Sequence, residues 1–229
     1  MLKMMHPVEK MAYPLIALYL AVGAVIALID PVFFTKVAAA EDGPIEWLTV
    51  MALVLSFIVC VNRVVTLRSQ KNWMFISVWS FLALFTFFGA GEEISWGQRI
   101  FNVESSDWFK QNNAQAETNL HNLIVEGKKI NKIIFSAVLG SALIIYLFVF
   151  SIAYRKSDKF KAFCEYFSVP VAQWHQVVAW VLVALVAEVL IKGVGRSSEL
   201  FESAAAFVFL LNITYPYNSA SFKKQTQNQ

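Results

Sequence analysis

Apolar residues fall in six long blocks, at about 11–29, 45–62, 73–91, 133–154, 169–191 and 200–217, with polar connections between them. A bilayer core about 30 Å thick is crossed by roughly 20 apolar residues in helical form, so each block predicts a membrane-spanning helix. Lipid offers no partner to an open backbone group, which selects helices over unpaired strands. The expected fold is all-α: a polytopic membrane helix bundle of about six transmembrane helices, forming one integral membrane domain over 1–229.

The connections are short except for one. A polar insertion at 92–132 separates the third block from the fourth, yet it carries Trp96, Phe101, Trp108, Phe109 and Ile124 and so does not read as a disordered linker. GEEISWGQRIF predicts a helical extension of the third span, and QAETNLHNLI a short helix leading to the fourth. An extended strand is the alternative for the second string. Glu117 and His121 fall on one face in either case. In EDGPIEW, Pro44 suits the first position of a helix and Glu46 its first turn.

Composition sharpens this picture. The chain of 229 residues is 58% hydrophobic and 15% charged, against about 45–50% and about 25% for a soluble domain. Charge also sorts by side. With the N-terminus inside, the inner segments hold Lys3, Lys10, Arg63, Arg68, Lys71, Arg155, Lys156, Lys159, Lys161, Lys223 and Lys224, but only Glu9, Asp158 and Glu165 as acids. The other thirteen of sixteen acids fall outside or in the outer halves of spans. Positive-inside counting therefore predicts six helices with the N- and C-termini in the cytoplasm. Trp47 and Trp96 mark the outer interface, Trp73 and Trp174 the inner one. The net charge of +3 reflects topology and does not argue for nucleic acid; the apolar blocks make the lipid bilayer the expected partner. The first block is too long for a signal-peptide core and reads as an anchor. Cys60 and Cys164, both on the inner side and without a CxxC spacing, predict no disulfide.

The same topology gathers Glu46, Glu92, Glu93, Glu188, Glu199 and Glu202 at the outer helix ends, below Glu117 and His121. Acids in first helical turns, as for Glu46, Glu199 and Glu202, have a structural explanation in the helix dipole. Glu92 and Glu93 end a helix, where the dipole disfavours them, and Glu188 sits inside ALVAEVLI, with Lys192 four residues on as a possible partner. Ionisable residues at membrane depth are functional candidates. Carboxylates with an imidazole form a ligand set for Zn, Mn or Fe, or an acid–base pair. Glu92, Glu93 and Glu188 are the expected catalytic groups, and Glu117 and His121 the expected ligands of a divalent metal. Arg99, Arg196, Glu199 and Glu202 are the expected substrate contacts, with forked guanidinium groups suited to an anionic headgroup. His175 lies about 20 Å from Glu188 along its helix, which makes it structural, and His6 carries no expected role.

GEEISWGQRIF and NAQAETNLHN, together with EDGPIEW and RSSELFE, resemble an uncharacterised group of bacterial multi-pass inner-membrane proteins, a resemblance that spans most of the chain and implies no activity. The double glutamate also resembles the EExxxR motif of intramembrane CAAX-type proteases. Arg99 nevertheless follows Glu93 by six residues, and Glu117 and Val171 stand where that family has phenylalanine before its histidines. Protease activity is not carried over.

Three functions compete. The first is a metal-dependent or acid–base hydrolase or transferase acting on a lipid or lipid-linked envelope substrate. The second is a non-catalytic membrane partner or assembly factor that docks through 92–132. The third is a transporter, which the absence of an interrupted helix pair or inverted repeat disfavours.

Overall fold

A computed structural model describes residues 5–125, 127–129 and 138–223. The start of the fourth expected span, 133–137, lies outside these, as do Lys3 and Lys224. The described chain is helical, and its only paired strands are a two-residue hairpin, Ile124–Val125 with Lys128–Lys129. The long helices are α1 (Pro7–Ile29), α2 (Pro44–Leu67), α3 (Trp73–Glu93) and α4 (Leu139–Lys156). They are joined by a short polar-faced α5 (Asp158–Tyr166), then α6 (Trp174–Leu190) and α7 (Ser197–Thr214).

Four of these, α1 to α4, are long and apolar enough to cross a membrane. Their outward faces expose Leu18, Val25, Phe81 and Leu84, as lipid contact requires. Of the other two expected spans, α6 is apolar but shorter. The stretch before it, 169–173, is not helical, and its Val171 N–H is held by Asn218 Oδ1 at 3.0 Å. Helix α7 is the central element, packed against α1, α2 and α6. It buries Leu200, Ser203, Ala204, Ala205, Ala206 and Val208. Small side chains here let neighbouring backbones approach closely. Gly23 of α1 shows how closely: a Cβ there would lie 2.7 Å from Leu200.

The helix starts follow capping chemistry. Pro7 and Pro44 open α1 and α2 at positions where the missing N–H costs nothing. Asn72 caps α3 by accepting the Phe75 N–H at 2.9 Å. At the α1 start, fully buried Glu9 accepts the His6 N–H at 3.0 Å and the Gln176 amide at 3.0 Å, and it pairs with His175 Nε2 at 2.8 Å. His6 stacks on Tyr215, with ring centroids 4.2 Å apart. His175 thus has the structural role expected of it, and His6 gains one. This network fastens α1 and α6 at the end of the bundle opposite Glu93, Glu199 and Glu202.

Candidate carboxylate site at one end of the bundle

Helix α3 ends abruptly after Glu93. Ser95, Trp96 and Gly97 take successive left-handed conformations, with φ of 47°, 55° and 76°. The expected helical extension through GEEISWGQRIF is therefore broken, and only the single turn Gln98–Phe101 resumes it. Left-handed backbone costs a non-glycine residue about 1–2 kcal/mol. Contacts at each of the two offset that cost. The Trp96 indole N–H donates to Glu92 at 2.9 Å, and its ring meets Phe88 at 5.6 Å. Ser95 donates to Glu117 and accepts from the Asn119 amide at 2.8 Å. Gly91 has to lack a side chain here, because a Cβ would sit 2.8 Å from the Trp96 ring.

The segment after the break is a roof, stapled by amides. NNAQAETNLHN forms turns and an isolated bridge between Asn113 and Leu123, neither the expected helix nor a regular strand. Asn113 Oδ1 accepts the Gln115 N–H at 2.9 Å, and its amide donates to the Asn119 carbonyl at 3.0 Å. Asn119 Oδ1 accepts the Asn122 N–H at 3.1 Å. Short amide side chains offer the backbone these partners in place of a helix ladder. Glu92 pins the roof to α3 by accepting the N–H groups of Leu120 at 2.6 Å and His121 at 3.0 Å. Gln98 adds a second pin through the Thr118 N–H at 2.8 Å.

Arg99 holds the sides. Its guanidinium donates to Asp42 at 3.0 Å, to Glu46 at 3.1 Å and to Glu117, and it lies 3.6 Å from Glu41. Burial works against its charge, but the hydrogen bonds it donates to Asp42 and Glu117 outweigh it and hold the guanidinium well above its ordinary pKa. Arg196 donates to Glu41 at 2.7 Å and to the Ala39 carbonyl at 3.2 Å.

Beneath the roof is a cavity of about 260 Å³, lined by Glu41, Glu46, Glu92, Glu93, Gln115, Asn119, His121, Asn122, Arg196, Ser198 and Glu199. Glu93 turns away from the roof. One carboxylate oxygen each from Glu93, Glu199 and Glu202 lies within 4.8 Å of the others. Three like charges at this spacing require a proton or a cation among them. His121 forms part of the wall, and burial pushes its imidazole below the ordinary pKa against the pull of Glu92 and Glu41.

The sequence-derived residues divide as follows. Glu92, Glu93, His121, Arg196 and Glu199 line the cavity, with Glu202 beside Glu93 and Glu199. Glu117 and Arg99 stand behind the wall, bonded to each other. Glu188 stands apart, exposed on the wide last turn of α6, Val186–Leu190. Sequence reasoning did not assign Glu41, Asp42, Gln115, Asn119, Asn122 or Ser198 to the site. Glu41 and Asp42 precede the Gly-Pro punctuation of α2, and the amides are dense in NNAQAETNLHN. Those were the available signals. No protein-family model, curated protein or solved structure matches this chain.

Proposed function

We propose that this chain is a membrane-embedded enzyme that holds a divalent cation on Glu93, Glu199 and Glu202. It hydrolyses or transfers part of a lipid or lipid-linked substrate at the outer face of a bacterial inner membrane. The convergence of three carboxylates within 4.8 Å beside a cavity at the bundle end carries this reading. An all-oxygen donor set favours a hard cation such as Mn²⁺ or Mg²⁺ over Zn²⁺. A cavity of about 260 Å³ takes a headgroup, since whole ligands need about 300–1,000 Å³.

The wall carries five carboxylates against one guanidinium, Arg196, which is already paired. An anionic headgroup would therefore be held through the cation and not through arginine. A cation held by Glu93, Glu199 and Glu202 would supply Lewis-acid polarisation of the ester or phosphoester. His121, kept neutral by burial, accepts the proton of the attacking water and returns it to the leaving oxygen. Orientation with both termini inside and six spans is supported by the sorting of positive charge along the chain.

The test is lipid turnover by purified protein in liposomes with Mn²⁺. Headgroup release that disappears in Glu93→Gln and His121→Ala supports the reading, and release that survives in both overturns it.

A second reading, carriage of a cation or proton, is favoured by one observation. Ionisable groups stand at both ends of the bundle, fully buried Glu9 with His175 at one and half-buried Glu93, Glu199 and Glu202 at the other. Flux across a liposome that vanishes in Glu9→Gln would select it.

A further inference from the structure

The strap between the α3 break and the roof, residues 98–109, exposes much apolar surface for a segment in water, beside the exposed polar residues Asn102, Glu104, Ser106 and Asp107. Its polar side chains Gln98, Arg99 and Ser105 turn inward to the roof and the acids. Its apolar side chains face out: Ile100 is 55% exposed, Phe101 75%, Val103 59% and Trp108 53%. Soluble surfaces scatter such residues singly, and a run of them marks contact with another apolar phase.

The surrounding surface identifies that phase. The left-handed turn at Ser95–Gly97 folds Trp96 back along α3, where its ring meets Phe87 at 6.2 Å as well as Phe88. Phe87 is itself 52% exposed on the outward face of α3 that also presents Phe81 and Leu84. Phe101 then lies over Gly97, whose Cβ position is 2.9 Å from the ring. The apolar strip is thus continuous from the lipid-facing side of a membrane-crossing helix, over Trp96, onto the strap. Aromatic side chains with one polar edge settle at the headgroup level of a bilayer.

We infer that the strap is an interfacial element, seated with Phe101, Val103 and Trp108 in the headgroup and upper acyl region of the adjoining leaflet. The occupant of this face is the bilayer itself, not a partner protein. Glu104 and Lys110, paired at 2.9 Å, remain at the polar level. The mouth of the cavity then stands at headgroup height, beside lipid rather than in open water.

Nitroxide labels at Val103→Cys and Phe101→Cys in the full-length protein, reconstituted in liposomes, test this through collisional accessibility. Leu84→Cys on α3 serves as the lipid reference and Lys159→Cys on α5 as the aqueous one. Wild-type protein, whose Cys60 and Cys164 are buried, gives the labelling background. The expected result is oxygen accessibility severalfold above that of a water-soluble nickel complex at 101 and 103, approaching the 84 reference. Nickel accessibility equal to the 159 reference overturns the inference. So does a label that is open to nickel in liposomes but shielded in native membranes, which would assign the face to a protein partner. A second measurement avoids labelling: brominated lipid should quench a component of tryptophan emission that Trp108→Phe removes. Quenching identical in wild type and Trp108→Phe counts against the strap lying in lipid.

Discussion

Glu92 and Glu93, adjacent at the end of α3, leave the helix in different directions. Glu92 is 5% exposed and spends its oxygens on three N–H donors, from Trp96, Leu120 and His121. Glu93 faces two further acids of α7, Glu199 and Glu202. One residue fastens the roof, and the other supplies the cavity with a charge that needs neutralising.

The two therefore respond differently to the same substitution. Glu92→Gln puts an amide NH₂ where an acceptor is needed and weakens charge-assisted bonds worth about 1.5–3 kcal/mol each. A lower Tm in detergent and faster proteolysis within 113–122 are expected. Glu93→Gln removes repulsion and should keep or raise the Tm. Equal loss of stability in both variants contradicts this division.

Arg99 is the common partner of Asp42, Glu46 and Glu117. Arg99→Ala leaves these acids without their cation, and breaking a buried pair costs about 3–5 kcal/mol. The side chain is 23% exposed, so the lower end of that range is expected. Lys keeps the charge but not the fork, and Arg99→Lys should recover less than half of the lost Tm.

His121 sets a pH dependence. Its folded-state pKa is lowered, so the unfolded chain binds the proton more readily. The resulting stability is present above the ordinary value of about 6.5 and is lost as pH falls below it. Wild type should lose Tm relative to His121→Gln on acidification from pH 7 to 5, while protonation within the Glu93, Glu199 and Glu202 cluster relieves repulsion in both proteins. Headgroup release, if His121 is the base, should fall over the acid limb as the imidazole protonates. A pH profile unaffected by His121→Gln rejects both roles.

At the far end, Glu9 joins His175 and Gln176 of α6. Glu9→Leu strands both partners in a buried site and should destabilise by about 3 kcal/mol. A double variant with His175→Leu should recover part of this, since an apolar pair of similar volume is often neutral. Additive losses in the double-mutant cycle would show that the two residues do not interact.

The membrane helices were legible because lipid imposes one simple demand, long apolar helical runs, and α1 to α3 follow the predicted blocks closely. Helix α7 was harder. Its apolar run reads as a span, but Glu199 and Glu202 fall in its opening turns and the helix is enclosed by its neighbours. The gathering of Glu92, Glu93, Glu199, Glu202 and His121 at one end followed from topology alone. Their division of labour did not. The left-handed break at Ser95–Gly97 depends on Trp96 packing over Gly91, a contact with no local pattern to announce it. The pairing of Arg99 with Asp42 and Glu46, more than fifty residues away in sequence, is equally invisible to helical spacing. Glu188 was misleading for a related reason: its depth within an apolar run suggested a place in the site, but it lies on the exposed face of its turn while Ala187 beside it is buried.

The most direct test of the cation site is Mn²⁺ binding to detergent-purified protein by titration calorimetry, with Glu188→Gln as the control outside the site. A cation held on Glu93, Glu199 and Glu202 predicts one equivalent per chain in wild type and in Glu188→Gln, with affinity reduced at least tenfold in Glu93→Gln and in Glu202→Gln. Absence of binding in wild type, or binding unchanged in Glu93→Gln and Glu202→Gln, would contradict it.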